Sequence, residues 1–194
     1  MNALPEGWVW KKLGEVCETT SGGTPNRKDP SYYNGNIPWV KSGELDKGLI
    51  TDTEEKITEA AIKNSSAKVF PKGTLLIALY GATIGKLAFL GVEAATNQAV
   101  CACKTYSPIN NEFLYYLLLS LKSNFVSQGA GAAQPNISRE KIINTIVPLP
   151  PINEQERIVK KIENLFNLAD LLESEIKESS KTQTQILNSV LANI

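Results

Sequence analysis

The chain changes character at Ile146-Val147-Pro148-Leu149-Pro150-Pro151-Ile152-Asn153-Glu154-Gln155-Glu156-Arg157. Its three prolines cannot sit inside a helix, so they end whatever element precedes them. Asn153 and Glu156 have the spacing of a capping box, which predicts a new helix that starts near Glu154. We therefore predict a folded domain over residues 1–151, called the head here, and a helical region over residues 152–194, called the long helix.

The long helix has an unusual predicted length. No Gly or Pro follows Pro151, so about 40 residues can form one helix of roughly 60 Å. A helix folded back on its own domain is the common alternative. A domain of about 150 residues is only ~30 Å across, however, and cannot cover the whole helix. We expect part of its surface to pair with another helix.

Apolar residues in the long helix recur at alternating spacings of four and three, which is typical of coiled coils. The middle of this seam is polar, and polar seam residues can fix the register of two paired helices. A second line, Leu168, Leu171, Leu187, Leu191 and Ile194, widens the apolar surface near both ends. The predicted pairing residues are Ile158, Ile162, Leu165, Ala169, Leu172, Ile176, Ser179, Gln183, Ile186 and Val190.

The residue types argue against catalysis. The chain has no His, so no Ser-His-Asp or Cys-His arrangement and no His-containing zinc site can be built. Its three cysteines are too few for a four-thiolate zinc site and are expected to be reduced core thiols. No phosphate-binding loop or dinucleotide motif occurs. We predict a binding protein with no catalytic residue, no metal and no cofactor of its own.

Hydropathy and charge further restrict the class of protein and the location of any nucleic-acid-binding surface. No apolar run is long enough for a membrane span and none resembles a signal peptide, so we expect a soluble cytoplasmic protein. The chain carries 20 basic and 20 acidic residues, and the region from Ile152 holds five of the basic and seven of the acidic ones. Any nucleic-acid surface must therefore be a local patch on the head.

Two loops of the head have the residue types that contact nucleic acids. Ser21-Gly22-Gly23-Thr24-Pro25-Asn26-Arg27-Lys28 combines flexible backbone with hydroxyls and two cations, although an ordinary surface turn is about as plausible. Tyr80-Gly81-Ala82-Thr83-Ile84-Gly85-Lys86 presents an aromatic ring, a hydroxyl and a cation between two strands, which favours recognition. Trp39 is expected in the core rather than as a base-stacking platform. Asn97 and Gln98 offer amides that could bond adenine, but they are expected to close a turn.

The remaining patterns predict an α+β head. Leu75 to Leu79 reads as a strand buried on both faces, with further strands at Leu87 to Leu90 and Ala99 to Lys104. Thr58 and Ser138 are expected to cap short helices. Asn110 or Asn111 is expected to cap a helix whose apolar face runs from Phe113 to Phe125.

Several motifs in a fixed order carry a resemblance to a known family: LPEGW with LGEV, SGGTP, IPWVKSGEL, LYGATIGK, ATNQAV, GAAQPNIS and PLPPINEQERIV. The head resembles a target recognition domain of the DNA specificity (S) subunits of type I restriction-modification systems. This resemblance implies a subunit that reads one half of a bipartite target in double-stranded DNA. The long helix would serve as a spacer and pair antiparallel with a second helix.

The resemblance also implies the division of labour and the assembly. Catalysis would belong to methylation (M) subunits that bind S-adenosylmethionine and to restriction (R) subunits that use ATP and Mg2+. A full-length S subunit resembles two copies of this unit, so a half-length chain is expected to form a homodimer on a symmetric target. Whether the chain is half-length by nature or a fragment stays open. The expected DNA contacts are Thr24, Arg27, Lys28, Lys41, Tyr80, Thr83, Lys86, Gln134 and Asn136.

Two other functions are compatible with the sequence. Zero net charge fits a coiled-coil adaptor whose head binds protein. A stand-alone DNA-binding regulator derived from a specificity subunit is the other alternative. A measurement of DNA affinity against salt concentration distinguishes the adaptor from both DNA-binding hypotheses. Phosphate contacts make the logarithm of the affinity fall steeply with the logarithm of the salt concentration, and an adaptor shows no such dependence.

Overall fold

A computed structural model of the chain describes residues 3–129 and 135–191, without the side chains of Ile186 and Val190. The chain forms two compact units, Met1–Ile152 and Asn153–Ile194. Within the described residues the strands are β1 (Val9–Lys12), β2 (Cys17–Ser21), β3 (Tyr33–Val40), β4 (Leu49–Ile50), β5 (Lys56–Ile57), β6 (Val69–Phe70), β7 (Leu75–Ala78), β8 (Leu87–Leu90), β9 (Ala94–Thr96), β10 (Val100–Thr105) and β11 (Ile146–Leu149). The α-helices are α1 (Leu13–Val16), α2 (Glu59–Asn64), α3 (Asn111–Ser120), α4 (Lys122–Gly129), α5 (Arg139–Ile143) and α6 (Ile152–Leu191).

The strands of the first unit form two sheets and a ribbon. The larger sheet has the order β2-β10-β7-β8-β4, the smaller has the order β5-β3-β9-β6, and β1 pairs with β11 as a two-stranded ribbon. Both larger sheets are mixed, because β4 runs parallel to β8 and β3 runs parallel to β9 while the other pairs are antiparallel. The predicted α+β class with a long C-terminal helix is confirmed.

The larger sheet is buried on both faces, and β7 shows how. Leu75 and Ile77 point to a core that includes α3 and α5, whereas Leu76 and Ala78 point to a second core shared with Val40. Alternate side chains of a strand point to opposite faces, so a strand with only apolar residues needs two apolar layers. The predicted buried strand is confirmed.

Side-chain caps start the short helices where they were expected. Thr58, Asn110 and Ser138 each accept a hydrogen bond from the backbone N–H three residues ahead. The expected continuous helix from Phe113 to Phe125 is wrong: it is two helices separated at Leu121, whose N–H donates to Leu118 O at 3.1 Å in a tighter turn. Both pieces still bury the predicted apolar face, including Leu118 and Phe125.

The long helix α6 runs over 40 residues without interruption. It begins at Ile152, two residues before the predicted start, so Asn153 lies inside the helix instead of capping it. Pro151 immediately precedes the helix, where a fixed φ suits helix entry and a missing N–H costs nothing. Seam residues from Leu165 to Gln183 are exposed, with Leu165, Leu172 and Ile176 at 54%, 51% and 68%, whereas Ile158 and Ile162 are half-buried. Ile194 and the side chains of Ile186 and Val190 lie outside the described residues.

Candidate nucleic-acid interface

The register of the sheets brings several loops to one edge. Ser21 pairs with Cys101, Val100 with Ala78, and Ile77 with Leu87, so β2 and β7 end where β10 and β8 begin. In the smaller sheet β3 and β9 are parallel and end together at Val40 and Thr96. We call the loops at this end, residues 22–28, 41–48, 80–86 and 97–99, the loop edge.

Two glycines hold the first loop against its neighbour. Gly22 N–H donates to Val100 O at 3.0 Å, and Gly23 N–H donates to Thr96 O at 2.9 Å. A Cβ on Gly22 would lie 2.1 Å from Thr96 Oγ1 and 2.3 Å from Thr96 O, so only glycine allows this approach. The contact places Thr24 beside Gln98, with which its hydroxyl forms a hydrogen bond.

Arg27 lies over two aromatic rings and holds a carboxylate. Its Cζ is 4.8 Å from the ring centroids of both Tyr33 and Trp39, a distance at which a cation is attracted to the ring face. Its Nη1 and Nη2 donate to the two oxygens of Glu55 at 2.5 and 3.3 Å. The guanidinium is therefore fixed both by the rings and by a two-point ion pair.

Lys41 shares the same carboxylate. Its Nζ donates to Glu55 Oε1 at 3.1 Å and to Glu54 Oε2 at 2.8 Å. The buried Glu44 supports this arrangement, because its oxygens accept hydrogen bonds from the N–H groups of Lys41 at 2.8 Å and Glu54 at 3.0 Å. Two cations and two exposed or half-buried carboxylates thus form one connected cluster.

Residues 80–86 form a tight turn with its own contacts. Thr83 Oγ1 donates to Tyr80 O at 2.6 Å, which closes the turn. Tyr80 forms a β-bridge with Asn136, and Gly81 N–H donates to Pro135 O at 2.8 Å, so Pro135 and Asn136 join the loop edge. Lys86 Nζ donates to Asp46 Oδ2 at 2.5 Å, which ties this turn to the 41–48 loop.

A protein-family model described as "Type I restriction modification DNA specificity domain" matches residues 5–179. The chain belongs to this family. The match includes every described residue of the loop edge and more than half of α6.

Curated relatives in this family carry the name of specificity subunits. The EcoR124I/EcoR124II specificity subunit of Escherichia coli is 30% identical over 87% of this chain and 43% of its own length. The MjaIX specificity subunit of Methanocaldococcus jannaschii is 29% identical over 96% of this chain and 42% of its own length. The chain spans less than half the length of these relatives.

Solved structures have the same fold. The HsdS subunit from Thermoanaerobacter tengcongensis superimposes with a TM-score of 0.72 at 23% identity, over 89% of this chain and 40% of that one. A chain from a study of complex assembly and conformational transition of the type I R-M system gives a TM-score of 0.73 at 24% identity, over 92% of this chain and 43% of that one.

The predicted DNA contacts of this family member fall into groups. Four of the five predicted hydroxyl, aromatic and amide contacts have partners in the structure: Thr24 pairs with Gln98, Thr83 closes its turn, and the half-buried Tyr80 forms a backbone β-bridge with Asn136. Arg27, Lys41 and Lys86 all pair with carboxylates. Lys28 is exposed and takes part in no ion pair within the described part of the chain. Gln134 lies outside the described residues.

Sequence reasoning missed the acidic partners of these cations. Glu55 lies 28 residues from Arg27, and Asp46 lies 40 residues from Lys86, so no local spacing signals either pair. Gln98 lies in the expected turn, where Val100 N–H donates to Asn97 O at 3.1 Å, and its exposed side chain meets Thr24 at the loop edge. Trp39 is a core residue as expected: it is 1% exposed and its Nε1 donates to Gly23 O at 3.1 Å.

The structure gives two further negative findings. No group of three or more His, Cys, Asp or Glu side chains in the described part of the chain is arranged to hold a metal ion. Within residues 3–129 and 135–191, no helix combines the length and apolar character needed to cross a membrane.

The Glu55 cluster makes stability depend on pH. The hydrogen bonds from Arg27 lower the pKa of the Glu55 carboxyl, partial burial opposes this, and Lys41 lowers it further. Because the Glu55 pKa is lower in the folded protein than in the unfolded chain, the ionised carboxylate stabilises the fold at pH values above the unfolded carboxyl pKa of about 4.3. This stabilisation is lost as the pH falls through the folded pKa.

We expect Glu55→Gln to lower the free energy of unfolding by up to about 1 kcal/mol at neutral pH, because the pair is partly exposed. The difference from the unmodified chain should shrink as the pH falls below the unfolded carboxyl pKa and vanish once Glu55 is protonated in the folded state as well. Urea unfolding at a series of pH values measures it. A difference that stays constant from neutral to acidic pH would contradict the ion-pair origin.

Proposed function

We propose that this chain is the DNA-recognition component of a type I restriction-modification complex and carries out no catalysis itself. The observation that carries the proposal is the family match over residues 5–179, which extends from the head into α6. The loop edge gives that match a physical surface, because it gathers eight of the nine expected DNA-contacting residues on neighbouring loops. Arg and Lys there would contact guanine or phosphate, and Gln and Asn would contact adenine.

The head, residues 1–151, would read one half of a bipartite target in double-stranded DNA. The long helix, residues 152–194, would act as spacer and pairing element. Its exposed seam supports this role. Leu165, Leu172 and Ile176 form an apolar stripe exposed to water, and such a stripe is typical of an interaction surface. A second copy of the chain offers the same seam, so an antiparallel homodimer would bury both.

The expected partners follow from this role. Methylation subunits would bind S-adenosylmethionine, and restriction subunits would use ATP and Mg2+, so those cofactors would be held outside this chain. The neutral net charge agrees with partners that share the phosphate contacts. The assembly would act on DNA in the cytoplasm.

Methylome sequencing of cells that express the chain with its methylation subunit tests the proposal. We expect a new methylated motif made of two inverted half-sites around an unread spacer, because a twofold dimer reads a symmetric target. The same cells with the methylation subunit alone are the control. An asymmetric motif would contradict the homodimer, and the absence of any new motif would contradict DNA recognition.

A further inference from the structure

The Glu55 carboxylate occupies the part of Arg27 that DNA recognition needs. Its two oxygens accept hydrogen bonds from Nη1 at 2.5 Å and Nη2 at 3.3 Å. The same pair of terminal nitrogens forms the two parallel bonds to guanine or to a phosphate. While Glu55 is bound, the fork of Arg27 is closed to DNA.

The aromatic rings keep Arg27 in place independently of Glu55. Tyr33 and Trp39 both lie 4.8 Å from its Cζ, and Trp39 is buried. The Arg27 side chain is nevertheless 52% exposed. Removing the carboxylate would therefore leave the guanidinium at the surface with its fork open.

Lys41 gives the carboxylate a second partner. Its Nζ already donates to Glu55 Oε1 at 3.1 Å, and Glu44 fixes the backbone of Lys41 from inside the fold. If Arg27 turned to DNA, Glu55 would keep this ion pair. The exchange therefore leaves no partly buried charge without a partner. An unpaired buried charge is the usual cost of breaking an ion pair.

We propose that Glu55 is an internal competitor for Arg27 that sets the specificity of DNA binding. It keeps Arg27 from the phosphates of non-target DNA and repels them by its charge. A target sequence that places a guanine or a phosphate where both terminal nitrogens of Arg27 can bond to it displaces the Glu55 carboxylate. This inference rests on the proposed function.

The test compares Glu55→Gln with Glu54→Gln in the full chain. Both variants remove one negative charge from adjacent positions, but Glu54 pairs with Lys41 and not with Arg27. We expect Glu55→Gln to tighten binding to duplex DNA of random sequence about tenfold and to steepen the salt slope by about one. Glu54→Gln should change the affinity less than about threefold. Fluorescence anisotropy between about 50 and 200 mM salt measures both.

Arg27→Ala connects the effect to its cause. In the Glu55→Gln background it should remove the gain in random-duplex binding. With the methylated motif as target, the ratio of target to random affinity should fall in Glu55→Gln. Should that variant fail to show a cooperative melt, Glu55→Asp replaces it and is expected to give a smaller gain in the same direction.

Three results would overturn the inference: equal effects of Glu55→Gln and Glu54→Gln, weaker random binding by Glu55→Gln, or a gain that survives Arg27→Ala. Failure of the proposed function looks different. In that case the unmodified chain shows no salt-dependent affinity for any duplex.

Discussion

Ile176→Asp is expected to weaken self-association of the chain by at least about a thousandfold. Ile176 is 68% exposed on α6 and lies in the seam that we propose to be the dimer contact. Burial of such a side chain contributes about 2 kcal/mol, the homodimer loses it twice, and the new carboxylates would have to be desolvated. Sedimentation velocity at micromolar concentration measures the change.

Ser174→Asp is the matched control, because it adds the same carboxylate to α6 about half a turn away from Ile176 and the seam. Ser174 is exposed, and its replacement should leave the dimer intact. An unmodified chain that stays monomeric would contradict the pairing itself. Equal effects of the two substitutions would instead show that the seam is not the contact.

Gly22→Ala is expected to lower the free energy of unfolding by about 3 kcal/mol and to abolish DNA binding. The new Cβ would lie 2.1 to 2.5 Å from Thr96 and Asn97 atoms, two of which belong to the backbone. The first loop would have to leave its place, and with it Thr24 and Arg27. Chemical unfolding and DNA titration of the same preparation measure the two effects.

Gly43→Ala serves as the control for this substitution. Gly43 belongs to the neighbouring 41–48 loop, and among the described residues no atom other than those of Gly43 and its chain neighbours lies within 4 Å of the added Cβ. We expect a change in stability of less than about 1 kcal/mol and unchanged DNA affinity. A similar loss in both variants would mean that general loop stiffness, and not the approach to Thr96, is responsible.

The sequence predicted the parts of the fold that local physics controls. The apolar run at Leu75, the caps at Thr58 and Ser138, and the buried Trp39 all depend on residue type and short spacing. The break at Leu121 was missed because the apolar face continues through it, so periodicity carries no sign of the change in turn geometry. The parallel pairing of β3 with β9 was also beyond local pattern, since it joins segments more than 50 residues apart.

The sequence selected loops that the fold brings together, but it did not reveal the ion pairs within them. Loop composition identified the segments around Thr24 and Tyr80, and the strand register brings them to one edge. The sequence did not reveal that Arg27, Lys41 and Lys86 each meet a carboxylate. Such pairs depend on which distant loops the sheets place together. The net charge of zero does not indicate where individual charged side chains lie in the fold.

The β1–β11 ribbon has a consequence for how the proposed specificity could change. Lys12 pairs with Ile146 and Val9 with Leu149, so the first and last strands of the head lie side by side. If the head reads DNA, as we propose, the segment between these two strands could be exchanged as one cassette while the ribbon is kept. Recombination within the gene segments that encode β1 and β11 would join a different head to the same long helix. A new target preference could then arise in a single genetic event.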